Sequence, residues 1–451
     1  MVTNVNTREI ILGILLEVNR DGEYSHIAIR NALEKYQYLP KQERSFITRI
    51  CEGTIEQMIL LDYIIDQFSN IKVAKMKPVI QNILRSAVYQ IKFMDSVPAS
   101  AACDEAVKLA QKKGFYSLKS FVNGVLRNIV RNLDKIEYPT MNNPTECLSV
   151  QYSMPRWLVK KWIEEFGIDI TEIMLKDFLK DKPTTIRCKT DRIIQSEILD
   201  SLHNQGVTVK RNPYLPYAFN ISDYNYLPAL DAFIRGWIFP QDISSMLVAE
   251  IANPIQGDYV IDMCAAPGGK SLHMADKMGG YGMVEARDLT EYKVDMIWQN
   301  IKRADLINVK AVQMDGTIFD GASVDRADIV LADVPCSGLG VIGKKTDIKY
   351  KASLQKIDEL VELQRKILHN AASYVRPGGT LIYSTCTIGR RENQDNVEWF
   401  LENYPFELDS IDPFLCEELH RETTAKGYLQ LLPGIYKSDG FFMARLKRKK
   451  I

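Results

Sequence analysis

No apolar stretch of this chain reaches the roughly 18 residues that a membrane-crossing helix needs, so no span is expected. The opening residues, MVTNVNTREI, have neither a basic start nor an apolar signal core, which leaves the cytoplasm as the expected compartment. An excess of one charge is also missing. The 57 basic side chains match 57 acidic ones, so bulk charge announces no polyanionic partner. None of the eight cysteines (Cys51, Cys103, Cys147, Cys188, Cys264, Cys336, Cys386 and Cys416) belongs to a CxxC pair. Their wide spacing does not suit zinc, so no metal is expected. A disulfide scaffold is unexpected in a reducing compartment, which makes most of them reduced packing residues. Internal repeats are not visible, and oligomeric state is not readable, so a monomer is the default.

What is present is ordinary globular composition, 46% hydrophobic and 25% charged, over 451 residues. That is too long for one core and implies about two to four domains. The first 138 residues repeat apolar positions at three and four, in REIILGILLEVN, SHIAIRNALEKYQ, KQERSFITRICEGTIEQMILLDYIIDQF and KPVIQNILRSAVYQIKFM, and so predict an all-helical domain. A run from Lys108 to Arg131 holds Lys112, Lys113, Lys119 and Arg127 with no acid between, a pattern of either a solvated helix face or an RNA contact. The polar stretch Tyr138 to Glu146 reads as a linker. Residues 139–235 then hold a helix, PRWLVKKWIEEFG, and a small α+β segment with strand-like TTIRCK and GVTVKRN around the helix SEILDSLHNQG. Residues 236–451 alternate short apolar strands with helices, which predicts a mostly parallel, Rossmann-like sheet covered on both faces. YLQLLPGIYKSDGFFMARLKRK reads as an antiparallel edge hairpin turning near Ser438-Asp439-Gly440.

The strongest chemical signal is DMCAAPGGKS, from Asp262 to Ser271, between the first strand of that sheet and the next helix. Ligands of doubly wound sheets sit beyond the carboxyl ends of the strands. Small residues around Cys264, Ala265, Ala266, Pro267, Gly268, Gly269 and Lys270 let backbone amides approach such a ligand, and the helix start favours its anionic part. Asp288, about 20 residues on at the second strand end, suits ribose hydroxyls. Glu285 is a rival for that contact. Asp315, taken as the end of the third strand, suits an adenine amino group. GxGxxG and GxxxxGK[ST] spacings are absent, which disfavours nicotinamide and phosphate-loop sites.

Two further motifs end the fourth and fifth strands: ADVPCSGLG, with Asp333 and Cys336, and YSTCTI, with Cys386. One cysteine there could simply pack. Two beside a nucleotide-like site suit pyrimidine chemistry. Carbon 5 of cytosine is a poor nucleophile until a thiolate adds to carbon 6 and makes it enamine-like. A carboxylate can hold the ring edge, and a base must remove the carbon 5 proton before the thiol leaves. The sequence offers two thiols and one acid for these roles.

DMCAAPGGKS, ADVPCSGLG and YSTCT, in this order, resemble the Sun-type RNA cytosine-5 methyltransferases, as do QDISSMLVAE and DGFFMARLKRK. PASAACDEAVKLAQKKG and SFVNGVLRNIVR resemble a NusB-like RNA-binding domain, which points to the bacterial branch that methylates one cytosine of 16S ribosomal RNA, at its 967-type site. The resemblance implies a class I methyltransferase domain using S-adenosylmethionine. It makes Cys386 the nucleophile, Cys336 the cysteine that assists release, and Asp333 the acid facing both cofactor and cytosine. Cys264 to Lys270, Asp288 and Asp315 then hold the cofactor, and Lys270 also approaches substrate. The segment VEARDLTEYKV departs somewhat from the family's usual acidic pattern, which leaves Glu285 a rival for the ribose contact, with Asp288 preferred by position. Other readings are a different ribosomal or transfer RNA site, or a non-catalytic NusB-like assembly factor.

Overall fold

Apolar residues at helical spacing bury one stripe of each N-terminal helix. In the computed structural model of the protein, which describes residues 6–189 and 193–450, the helix Thr7–Asn19 buries Ile11, Leu12, Leu15 and Val18. Its start is capped by Asn6, whose side chain accepts from the Arg8 and Glu9 amides. The run read as one long helix is two, Lys41–Glu56 and Met58–Phe68. Gln57 leaves helical geometry (φ −95°, ψ 13°), so each half aims its own stripe at the core. Gly53 admits the Tyr89 ring of the helix Pro78–Phe93, where an added Cβ would lie 2.0 Å from the ring.

The stretch read as a linker already holds a helix start at Pro144. Asn143 accepts from the Glu146 amide, and Pro144 occupies a first-turn position where no N–H is needed. Helices Pro144–Gln151, Arg156–Phe166 and Ile168–Phe178 follow, the first and last of them unforeseen.

The chain divides into two compact units: residues 1–179 with 342–351, and residues 180–341 with 352–451. The first unit thus borrows ten residues from far along the chain. Within it, Ser25 Oγ donates to Asp347 at 2.5 Å and Lys349 Nζ to the Glu56 carbonyl at 2.7 Å. Lys351 Nζ reaches the carbonyls of Gly22 and Glu23 at 3.0 and 2.8 Å.

The second unit has two sheets. The smaller is antiparallel, in the order β2-β3-β1-β4, from β1 (Thr184–Cys188), β2 (Thr208–Arg211), β3 (Ala218–Ser222) and β4 (Ile238–Pro240). β3 and β4 were not foreseen. β4 is only three residues long, too short to show alternation, and β3, as long as β1, follows the turn-like run NPYLPY, which hides its start. Arg187 of β1 is fully buried. It pairs with Asp276, donates to Gln241 at 3.0 Å and lies over the Phe239 ring, so its desolvation is offset by several partners.

The larger sheet is built from β5 (Tyr259–Asp262), β6 (Met283–Asp288), β7 (Val309–Gln313), β8 (Ala327–Asp333), β9 (Val375–Thr385), β10 (Phe406–Leu408), β11 (Tyr428–Leu431) and β12 (Phe441–Arg448). Its order is β10-β12-β9-β8-β5-β6-β7, with β11 also on β12. β9, β8, β5, β6 and β7 run parallel; β12 is antiparallel to β9. The order reverses at β5, so the loop after β5 opens at a switch point, where such sheets bind ligands. The expected edge hairpin needs correction. β11 and β12 do pair antiparallel, but β12 lies between β9 and the short β10 and β11. Its residues Phe441 to Leu446 are all buried, which is interior rather than edge burial.

Candidate active site

The loop after β5 turns tightly because Gly268 (φ +105°) takes a left-handed conformation that favours glycine. Its amide donates to the Ala265 carbonyl at 2.7 Å, and the helix Gly269–Lys277 starts at once. A Cβ added at Gly269 would meet only the Gln241 side chain, at 3.8 Å, so the space beside the helix start is open. Below it Asp262 is 1% exposed and accepts from Ser271 Oγ at 2.5 Å. Burial pushes the Asp262 carboxyl up to about 7.

Asp288 closes β6 beside this loop. Its two oxygens accept from the Ala266 and Leu289 amides, each at 2.8 Å, and Lys293 Nζ lies 3.0 Å away. A carboxylate has about four acceptor sites, so capacity for ribose hydroxyls remains. Glu285, its rival, is engaged elsewhere, by Arg287 Nε at 2.8 Å and the Tyr259 hydroxyl at 3.0 Å. Asp315 lies two residues past the end of β7 rather than on the strand. Its Oδ1 caps Thr317, accepting from the amide at 2.8 Å and the hydroxyl at 2.7 Å. An open cradle beside a helix start, with acids after three neighbouring strands, fits a nucleoside carrying an amino-acid tail.

Asp333 ends β8, held from both sides. Its Oδ2 accepts from Lys270 Nζ at 2.6 Å and its Oδ1 from Ser384 Oγ of β9 at 2.7 Å. Burial pulls the Lys270 ammonium down, but the Asp333 charge and hydrogen bond outweigh it and hold the lysine above its ordinary value. Lys270 also lies over the Phe441 ring, 5.5 Å from its centre.

Because β8 and β9 are neighbours, the loops after them meet. Cys336 Sγ and Cys386 Sγ are 3.1 Å apart, reduced and partly exposed. The Gly340 amide donates to the Cys386 carbonyl at 3.0 Å. Gly340 has no room for a side chain, since a Cβ would lie 2.0 Å from the Gly440 carbonyl oxygen. Cys264 is a different kind of thiol. Burial and the charges of Asp262, Asp288 and Asp333 push it up, which suits packing rather than attack.

Sequence reasoning missed the groups behind the cysteines. Glu392, 1% exposed, accepts from the Ser337 amide at 2.8 Å, Ser337 Oγ at 2.6 Å and Gln364 Nε2 at 3.1 Å. An acid in RRENQDN looks like a surface residue. Only its position just past YSTCTI hinted otherwise.

The basic run of the helical unit is largely compensated. Lys112 and Lys113 pair with Glu9 at 2.6 and 2.8 Å, Lys108 with Glu105 at 2.8 Å, and Arg127 with Asp104 at 2.8 Å. Among the described residues there is no group of three or more His, Cys, Asp or Glu that could hold a metal. No described helix is long and apolar enough to cross a membrane.

Three family profiles match the chain: the NusB family over residues 5–131, an RsmF/B-like ferredoxin-like domain over 154–225, and the 16S rRNA methyltransferase RsmB/F family over 249–447. A probable ribosomal RNA small subunit methyltransferase B from Bacillus subtilis (strain 168) is 34% identical over 450 residues, covering 98% of this chain and 99% of the relative. A protein with the same description from Synechocystis sp. is 32% identical, over 98% and 100%. Among solved structures, the crystal structure of PH0851 is similar across 99% of each chain, at TM-score 0.82 and 26% identity.

Proposed function

The chain belongs to the RsmB family of S-adenosylmethionine-dependent ribosomal RNA small subunit methyltransferases, and from there we propose that it methylates carbon 5 of one 16S rRNA cytosine, at the 967-type site, through a covalent bond from Cys386 to carbon 6. The observation that carries this reading is the pair of thiols 3.1 Å apart, on adjacent loops beside Asp333.

The cofactor, when bound, supplies an electrophilic methyl group. Cys264, Ala265, Ala266, Pro267, Gly268, Gly269 and Lys270 would hold its amino-acid end, with Asp288 at the ribose, Asp315 at the adenine and Asp333 nearby. Lys and Arg contacts to phosphates position the RNA without reading its sequence. The target cytosine leaves its stack, as bases must for chemistry at ring carbons. Cys386 adds to carbon 6. Asp333, with one oxygen tied to Lys270 and the other to Ser384, is held still to face the cytosine edge. Stillness matters because preorganised groups need no reorientation as charge develops. Cys336, beside the new bond, assists release: as a thiolate it takes the carbon 5 proton, and the electron pair left behind re-forms the ring double bond and expels Cys386 as thiolate.

The test is asymmetric. Cys386→Ala should abolish both transfer and covalent adduct. Cys336→Ala should accumulate a protein–RNA adduct, visible as a band resistant to denaturant. The opposite pattern would reverse the roles, and no adduct in either variant would end the covalent reading. Bisulfite sequencing of ribosomal RNA from a deletion strain identifies the cytosine, and loss at a transfer RNA site instead would move the substrate.

A further inference from the structure

Two sulfurs 3.1 Å apart cannot both carry full negative charge at modest cost, so something must decide which keeps a proton. Behind Cys336 lies a buried carboxylate that the reaction as described does not use. Ser337, Gln364 and Thr387 all donate to the Glu392 side chain. Oε1 accepts from the Ser337 amide at 2.8 Å and from Gln364 Nε2 at 3.1 Å; Oε2 accepts from Ser337 Oγ at 2.6 Å. The Thr387 hydroxyl lies 2.8 Å from Ser337 Oγ and also serves Glu392. Burial pushes Glu392 up, but these donors all favour its charged form. Gln364 Nε2 also donates to the Pro335 carbonyl at 2.9 Å, and the Tyr383 hydroxyl donates to the Glu392 carbonyl at 2.5 Å. One side chain therefore ties residues on both sides of Cys336 to the residue after Cys386.

The charges around the two sulfurs are unlike. Cys336 faces Cys386, Glu392 and, beneath, the Tyr383 phenol. Cys386 faces Cys336 and the Lys270 ammonium, which is itself bound to Asp333. We propose that Glu392 is a positioning residue that locks the two cysteine loops together and, by its charge, keeps the resting proton on Cys336, so that Cys386 is the sulfur left as thiolate. The resting pair gives one proton to solvent and shares the other, Cys336 S–H donating to Cys386 Sγ. Hydrogen bonding to Cys386, burial, and the charges of Cys386 and Glu392 act in that direction and outweigh the opposing hydrogen bond from the Gly338 backbone, so Cys336 is raised. The same charge serves later. Once Cys386 is held in its bond to carbon 6, Cys336 loses its proton to solvent, and the thiolate left is more basic beside Glu392 than without it. The proposal rests on the covalent reading above, but its test needs neither RNA nor cofactor, so the two can fail separately.

Glu392→Gln removes the charge and preserves the tether. The amide oxygen can replace Oε1, and its NH2 can face Ser337 Oγ, which accepts as readily as it donates. The measurement is site-resolved iodoacetamide alkylation of the full-length protein against pH, read by peptide mass spectrometry. In Cys386→Ser, Cys336 should alkylate with a midpoint clearly above the ordinary thiol value of about 8.5. Adding Glu392→Gln should lower that midpoint by about one unit, roughly ten-fold faster alkylation at a fixed lower pH. In Cys336→Ser, the same substitution should leave the Cys386 midpoint within about 0.3 unit. An ordinary or low Cys336 midpoint in Cys386→Ser alone would overturn the proposal, even if the Gln variant does not fold. So would an unmoved Cys336 midpoint in a folded Gln variant, or an equal shift at both sulfurs.

Discussion

Lys270 of the catalytic unit and Lys349 of the helical unit are both largely withdrawn from water, and their surroundings treat them in opposite ways. Lys270 meets a carboxylate, Asp333, at 2.6 Å, and keeps its charge more firmly than in water. Lys349, 1% exposed, meets the Glu56 carbonyl at 2.7 Å, and burial pulls it down to about 7. Identical side chains thus become a fixed cation in one unit and a titratable strut in the other. At Lys349 the carbonyl contact and the upward pull of the Glu56 charge together fall short of the burial penalty, whereas the directly hydrogen-bonded Asp333 more than offsets it at Lys270. The fixed cation sits where the proposed chemistry needs an immobile charge. The strut only fastens the 342–351 segment to its unit.

Breaking the comparison starts with its larger arm. Lys270→Met should reduce methyl transfer by about 10²–10³-fold, because Asp333 loses its tether and its counter-charge together. Lys349→Met should leave turnover within about three-fold. Single-turnover kinetics with labelled cofactor and substrate RNA would check both. Equal losses would show that the two lysines share a role.

A smaller effect separates them by pH. The folded value of Lys349, about 7, lies below its ordinary 10.5. Between these values the unfolded chain binds more protons, so stability rises with pH, by up to about 1.4 kcal/mol per unit. The burial penalty is full below pH 7 and fades towards 10.5. Lys270 has the opposite sign. Its folded value is raised, so its contribution is complete below the ordinary lysine value and is lost only as pH climbs through the folded one. Between pH 7 and 9, hydrogen exchange of the helix Lys41–Glu56 should slow with pH, relative to unfolded-chain rates, more in the natural protein than in Lys349→Met. Identical slopes would remove Lys349 from the account.

The smallest effect concerns charges left at the surface. Glu9→Gln deprives Lys112 and Lys113 of their partner, at a cost below about 1 kcal/mol, since such pairs are screened. If this face meets RNA, the two released ammonium groups should steepen the salt dependence of binding by up to about 1.4 in log–log slope. An unchanged slope in filter binding would assign the basic run to solvent.

Much of this was legible before the structure. Asp288, Asp333, Cys336 and Cys386 were placed at strand ends by alternation of strands and helices alone, because a parallel sheet forces its loops to one edge. Helix periodicity located the N-terminal bundle for a similar reason, since one apolar stripe must face one core. The misses share a cause. β4 and the break at Gln57 are too local to show a period, and β3 follows a proline-containing run that reads as a turn. Glu392 and Ser384 act through burial and through partners that mostly lie far off in sequence, and beyond the closeness of Glu392 to YSTCTI the sequence carries no sign of either. Asp315 was assigned to a strand that ends two residues earlier, because Asp-Gly-Thr after an alternating run does not reveal where the ladder hydrogen bonds stop.

The ten borrowed residues that complete the helical unit bear on how this chain can be cut or recombined. A gene fragment ending at Leu179 would omit Asp347, Lys349 and Lys351, leaving Ser25, the Glu56 carbonyl and the Gly22 and Glu23 carbonyls without those partners. Exchanging the N-terminal half with that of a relative would pair one parent's bundle with the other parent's strap. The bundle therefore depends on a strap supplied from far along the chain, and a truncated bundle that binds RNA poorly would say more about its missing strap than about its affinity.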